Sequence, residues 1–319
     1  MTAATRDIKN SSIPVLVFVV AGIMATGWMV SHTKPEEATT PEQNASTHTE
    51  TYIELSAAEV AQGETLVVEL FGDVTSLQLE SERVPFSSAG DRTIAVIGFD
   101  TRAPIGTRAL TYQSEAQRPK TLSFEVVAKT YPITRVVVPP ALASQGVTSG
   151  DLAESLAQSD NVTLDDILVV ETPHYHFTEP FVQPTDEWID VGGFGNVRED
   201  QYGSIRHLGT DLDGKTGDPV YAANSGVVVY VGELQNLGTS IVIDHGLGIF
   251  SLYLHLSSTR VETGTAVARG ARIGSVGNTG AYSLSPHLHF SVKVRQTSVD
   301  PRTFIDTIAP FTLSPNPER

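Results

Sequence analysis

The sequence predicts a mainly β chain of two domains behind an N-terminal membrane anchor, a small β-sandwich followed by an antiparallel sheet domain. Three observations carry this. Short runs of alternating or apolar residues recur from Thr51 onward, separated by Gly and Pro turn signals. Helix start signals become nearly absent after Gly192. A charge-free run, Ile13 to Val30, lies close to the N-terminus.

That run is flanked by Arg6 and Lys9 before it and by Lys34, Glu36 and Glu37 after it. About 18 to 20 apolar residues cross a bilayer as one helix. The leading basic residues favour the cytoplasmic side and place everything after Val30 outside. A cleaved signal peptide is the rival, with Ala25-Thr26-Gly27 as its processing site, but its apolar stretch is usually shorter. Residues 1–31 are therefore read as a single-pass anchor in the cell membrane. Residues 32–50, rich in Thr, Glu, Pro and Ser with almost no large apolar side chain, form a solvated tether.

Residues 51–130 hold the predicted sandwich. Its strand candidates are Thr65–Leu70, Ser76–Leu79, Thr93–Phe99, Arg108–Tyr112 and Thr121–Val127, divided by turns such as Gly72-Asp73 and Pro104-Ile105-Gly106. No catalytic constellation occurs there. Residues 131–180 read as a partly helical connector. Arg135–Val138 is a strand candidate ended by Pro139-Pro140. Ser149 caps a short helix with Asp151 in its first turn, and Thr163-x-x-Asp166 reads as the capping box of a second.

Residues 181–310 make the sheet domain, with a tail at 311–319. Strands are expected at Ala222–Val231, Thr239–Asp244, Phe250–Leu256 and His287–Val294. In the last, Leu288, Phe290, Val292 and Val294 alternate with His287, His289, Ser291 and Lys293, so both histidines share the polar face. In Ser251–Leu256 the same rule turns Leu252, Leu254 and Leu256 inward and Ser251, Tyr253 and His255 outward. His207 and Asp211, four apart in an extended Gly-containing segment, share a face too. Neutral imidazoles and a carboxylate are zinc ligands, and a catalytic zinc keeps three protein ligands plus water. His207, Asp211 and His289 make such a set, one zinc per chain, leaving His255 and His287 for acid–base and charge-stabilising work. His174 and His176 form a second H-x-H without a carboxylate partner and are read as packing residues, as is His245.

These residues resemble the lysostaphin/LytM-type zinc metallopeptidases, which cut peptide cross-links in bacterial peptidoglycan. The resemblance is carried by His207-x-Gly209-x-Asp211, Gly217-Asp218-Pro219-Val220, Ala223-Asn224-Ser225-Gly226-Val227-Val228, Ile243-Asp244-His245-Gly246, Tyr253-Leu254-His255-Leu256, Gly274-Ser275-Val276-Gly277-Asn278-Thr279-Gly280 and Pro286-His287-Leu288-His289-Phe290. It covers roughly Asp186 to Pro301. It implies metal ligation by His207, Asp211 and His289, a general base at His287 and oxyanion stabilisation by His255. It also implies an immunoglobulin-like identity for the first domain, through Gln62-Gly63-Glu64-Thr65 and Pro104-Ile105-Gly106-Thr107.

Other chemistries are excluded or disfavoured by the residues themselves. No His-Glu dipeptide, no G-x-S-x-G and no cysteine occurs, which removes helical H-E-x-x-H sites and the usual serine and cysteine hydrolases. A formal charge of −16 argues against nucleic acid. The expected partners are peptidoglycan, the membrane through the N-terminal helix, and a regulatory protein of unknown identity. Two alternatives stand beside the endopeptidase. One is a wall-binding or hydrolase-activating protein without activity, the other a zinc carboxypeptidase trimming stem peptides. The segment Glu171, His174, Tyr175, His176 and Phe177 is rich enough in ligands and aromatics to lie across the groove, though joining two domains is its plainer role.

Overall fold

The computed structural model describes residues 50–115, 117–169, 172–281 and 283–312. The anchor Ile13–Val30, the tether up to residue 49, Glu171 and the tail from residue 313 lie outside them. Among the described residues no helix is long and apolar enough to cross a membrane. Mainly antiparallel strands dominate, as the alternation predicts.

The first domain is two sheets. Tyr52–Leu55, Thr65–Phe71, Arg92–Gly98 and Ser87–Ala89 form one, in that spatial order. Glu59–Ala61, Gln117–Val127, Gly106–Ser114, Val74–Leu79 and Glu82–Arg83 form the other. Between them lies a core that includes Leu66, Val68, Leu77, Ile97, Leu110 and Phe124. Thr65–Phe71 is nearly all buried because its other face is covered too. Val67, Ile94 and Val96 join the core of the second domain. The described residues thus form one compact unit.

The second domain is built on a sheet ordered Asp190–Gly192, Thr210–Asp213, His287–Val294, Ile249–Leu256, Gly238–Asp244, Gly226–Leu234 and Ala266–Val267, with Thr297–Val299 paired to His287–Val294. Ile249–Leu256 is buried throughout, so simple half-burial does not describe it. On one face Ile249, Tyr253, Leu288, Phe290 and Val292 pack in the main core. On the other, Phe250, Leu252 and Leu254 pack under Leu164 and Leu168 of the connector. Of the inward set predicted from the leucines, Leu252 and Leu254 face the connector and Leu256 joins the main core, and Tyr253 lies on the opposite side from His289. Its hydroxyl accepts from Ala223 N at 2.7 Å, and its ring tilts against Phe290.

The connector's helices differ from expectation. The first, Ser149–Ser155, is capped by Thr148, whose Oγ1 accepts from Asp151 N while Asp151 accepts from Thr148 N. The capping box is therefore Thr148/Asp151, one residue ahead of the predicted serine. No second cap exists at Thr163. A π-helical turn, Leu156–Asp160, carries the chain directly into Asn161–Ile167, and Thr163 Oγ1 donates back to Ser159 O. The predicted Arg135–Val138 strand is Ile133–Arg135, parallel to Val197–Glu199.

A further helix, Pro301–Ile308, went unpredicted although its signals are plain. Asp300 Oδ1 accepts from the N–H groups of Arg302 and Thr303, and proline occupies the first turn. Its Phe304 and Ile308 enter the core shared with Val67 and Ile94. Lys129 holds Glu64 at 2.9 Å and Asp300 at 3.4 Å, fastening the cap to the sandwich. Phe304 is fully buried, so Phe304→Ala should cost about 3–5 kcal/mol. Val162→Ala, at an exposed position, should stay within about 0.5 kcal/mol in the same denaturant titration.

Candidate metal centre

Antiparallel pairing of Thr210–Asp213 with His287–Val294 puts Asp211 directly opposite His289. Opposed residues share a face with Cβ atoms about 5 Å apart. His207 reaches the same point from the preceding loop. Gly209 permits that loop to close, since a Cβ there would collide with His289 Nε2 and Ser291 Oγ. His207 Nε2, Asp211 Oδ1 and His289 Nδ1 then converge, at 2.9 Å from His207 to Asp211, 2.9 Å from His289 to Asp211 and 3.0 Å between the imidazoles. Among the described residues this is the group of side chains placed to hold a metal ion.

The outer partners decide what those atoms present. His207 Nδ1 lies 3.0 Å from Gly193 O, an acceptor, so Nδ1 carries the hydrogen and Nε2 a lone pair. Ser291 donates to Leu208 O at 3.0 Å and therefore accepts from His289 Nε2–H at 2.9 Å. His289 Nδ1 is left with its lone pair. Arg198 Nη2 holds Asp211 Oδ2 at 3.0 Å, leaving Oδ1 to face the histidines. Three lone-pair atoms meeting at hydrogen-bond distance with no hydrogen among them require a cation, and the donor set of two imidazoles and one carboxylate fits zinc.

Burial and the neighbouring histidines disfavour the charged forms of His289 and His255. Desolvation pushes His289 down to about 4 against the pull of Asp211. Burial, then the charges of His289 and His287, push His255 down to about 3. Burial would raise the Asp211 carboxyl, but the His207 and His289 imidazoles that face it hold it well below the usual range.

His287 and His255 stand beside the set. His287 Nδ1 donates to Ser285 O at 2.7 Å, and its Nε2 lies 3.5 Å from Asp211 Oδ1. His255 Nδ1 donates to Thr279 O at 2.8 Å. The two rings are 5.0 Å apart, and His255 is 6.0 Å from His289. Alternation alone would send His255 to the Tyr253 face, away from His289. A β-bulge prevents this: Thr239 pairs with Leu256 but Ile241 with Tyr253, so Leu254 and His255 together oppose one residue. His255 takes φ 63°, a left-handed conformation uncommon outside glycine, and turns to the metal side. The outward reading of His255 therefore reaches the right neighbours by a different route.

The other histidines stay away. His245 is fully buried, with Nδ1 on Ser225 O and Nε2 on Ser251 Oγ, a structural role as expected. His174 and His176 pack edge to face on each other, and Tyr175 donates to Ile94 O. Tyr175 and Phe177 sit in the main core, so this segment does not cross the groove. What does flank the site is an earlier part of the connector. Leu156, Asn161 and Leu164 wall a cavity of about 140 Å³ that reaches His207, Asp211, His255 and His289. Val136, Pro139 and Leu152 wall another of about 260 Å³ that reaches Asp211 and His287.

Arg198 and Ser291 are the functional residues that the motifs did not single out. Ser291 is detectable by period 2 from His289. Arg198 has no sequence signal, since it arrives on Val197–Asp200, a strand outside the main sheet.

Residues 205–301 match peptidase family M23. Over 94 residues the chain is 44% identical to the peptidoglycan DD-endopeptidase ShyA of Vibrio cholerae, covering 30% of this chain and 22% of that protein. Over 98 residues it is 37% identical to the uncharacterized lipoprotein YgeR of Escherichia coli, covering 30% and 38%. The chain thus spans well under half the length of these curated relatives. The crystal structure of a Pseudomonas aeruginosa protein assigned to peptidase M23 superposes with a TM-score of 0.55 over 77% of this chain and 94% of that one, at 24% identity, a likeness of fold.

The tautomer of His289 can be tested directly. Ser291→Ala removes the acceptor that fixes His289, and losing such an outer partner typically costs about 10–100-fold in metal affinity. Zinc titration should show that loss with the circular dichroism spectrum unchanged. Unaltered affinity would mean Ser291 does not orient His289.

Proposed function

We propose that the peptidase family M23 domain carried at residues 205–301 makes this chain a zinc-dependent endopeptidase of peptidoglycan cross-links. His207, Asp211 and His289 are the proposed ligands of one zinc, with His255 and His287 as the proposed catalytic histidines. The observation that carries the reading is the convergence of three lone-pair atoms on one point, each held there by its own outer partner. A wall-binding or activating protein would not need that set complete. The relatives named as peptidoglycan DD-endopeptidases support the substrate class.

Zinc held by these residues supplies a Lewis acid for the scissile carbonyl and a water acidified towards pH 7. The protein's own groups do the proton work. His287, with its hydrogen committed to Ser285 O, presents an unprotonated Nε2 beside Asp211 and takes the proton of the attacking water. Its imidazolium then returns that proton to the leaving amine. His255 opposes it across 5.0 Å and faces the developing oxyanion. Its Nδ1 hydrogen is committed to Thr279 O, so its Nε2 donates to the oxyanion only after taking up a proton from solvent. Arg198 keeps Asp211 in place by neutralising the outer oxygen.

The rest of the chain is read as delivery. Ile13–Val30 is proposed as an uncleaved single-pass anchor in the cell envelope, residues 32–50 as its tether, and residues 51–130 as an immunoglobulin-like spacer or docking module. Residues 131–180 join it to the peptidase at 181–310. The likeness to a lipoprotein supports an envelope location.

Zinc-loaded protein should open cross-linked dimers in purified cell-wall sacculi, and chelation should stop it reversibly. Release of single terminal residues instead would make it a carboxypeptidase, and no release at full zinc occupancy a binding protein. His289→Ala should lose both zinc and activity. His287→Ala should keep its zinc and lose about 10²–10⁴-fold in rate; equal metal loss in the two variants would reverse ligand and base. For the anchor, full-length protein should stay with membranes through a high-salt wash. A soluble form beginning near Trp28 would show cleavage.

A further inference from the structure

The metal-bearing face of His287–Val294 continues beyond His289 to Ser291 and Lys293. Ser291 is committed to His289 and Leu208. Lys293 has no hydrogen-bond or ion-pair partner among the described residues; Asp165 and Asp100 act on it only at Coulombic range. Directly across the strand pair from it stands Ser298, 3% exposed, whose Oγ is buried without a partner. Both side chains line the cavity of about 140 Å³ that opens at its other end on His207, Asp211, His255 and His289.

The other cations of that cavity are engaged. Arg198 is held by Asp211, and Arg206 by Gly195 O and the Tyr131 ring. Much of the remaining wall is leucine, from the sheet and the connector helices. An ammonium offers three donors and no acceptor, and a hydroxyl offers one more. In an apolar wall the charge is costly until an anion meets it, and burial accordingly pushes Lys293 below its ordinary value. A cationic donor group beside a hydroxyl that is free to donate suits a carboxylate.

Resting on the endopeptidase reading, we propose that Lys293 and Ser298 form a carboxylate-recognition subsite, which selects peptide substrates bearing a free carboxylate near the scissile bond. Lys293 lies four positions beyond His289, about 13 Å along a strand. The carboxylate therefore belongs to a side chain or terminus at most about four residues from the bond cut. A cavity of about 140 Å³ holds roughly five waters' volume, room for a short acidic side chain or a chain end.

The test uses two assays, cleavage by zinc-loaded protein and binding to metal-free protein, on one pair of peptides, identical except that one carries the carboxylate and the other its carboxamide. In the zinc-loaded protein, kcat/KM should favour the carboxylate by at least about tenfold, mostly through KM. Lys293→Met should bring that ratio to within about twofold, Ser298→Ala should lower it a few-fold, and Lys293→Arg should restore most of it. Calorimetric binding of both peptides to the metal-free protein should show the same preference and the same loss. A wild-type ratio near one in binding, or a ratio unmoved by Lys293→Met, overturns the subsite. Preferential binding without any cleavage by zinc-loaded protein keeps the subsite and sinks the hydrolase reading alone.

Discussion

The register that sets Asp211 opposite His289 is the constraint on which the rest of the site depends. A slip of one residue would turn His289 into the core and Leu288 towards the metal side. The register is held by burial. Leu288, Phe290 and Val292 on one face of the strand are fully enclosed in the main core, and no other phase of the alternation buries them. The hydrophobic effect thus positions two side chains that are themselves polar. His207 then needs only a tight loop, which Gly209 allows.

Orientation is a separate matter from position. Each histidine of the cluster gives one ring hydrogen to a fixed acceptor: Gly193 O, Thr279 O, Ser285 O or Ser291 Oγ. Three of these four acceptors are backbone carbonyls, which makes the tautomers a property of the fold rather than of neighbouring side chains. Burial adds to this by disfavouring protonation of His255 and His289. The bulge at Leu254–His255 serves the same end. It costs a left-handed residue and places an imidazole where regular pairing would have put none.

The connector is more than a spacer in this geometry. Leu164 and Leu168 cover Phe250, Leu252 and Leu254, so the sheet is closed on the face that also bears the metal site. Asp160 Oδ2 accepts from Asn236 N at 2.8 Å and Leu237 N at 3.0 Å, and Leu237 O in turn accepts from His255 N. A short hydrogen-bonded path therefore ties the π-helical turn of the connector to the bulged histidine. On the opposite face Val67, Ile94, Phe304 and Ile308 join both domains in one core.

The sequence by itself determined the mainly β class, most strand positions of both domains and the identity of the clustered residues, His207, Asp211, His255, His287 and His289. Those were legible because period-2 alternation and glycine-spaced motifs are local signals. It also holds a helix start at Asp300-Pro301 and a capping box at Thr148 and Asp151, one residue ahead of the expected Ser149 cap. What only the tertiary structure decided is which face each side chain meets. Tyr253 and His255 are two apart, yet a bulge and one positive φ send them to opposite sides of the sheet. Arg198 comes to Asp211 from a strand of another sheet, and Leu156 and Leu164 come to the cavity from the connector. Such contacts between distant segments arise from packing across sheets, and no local periodicity encodes them.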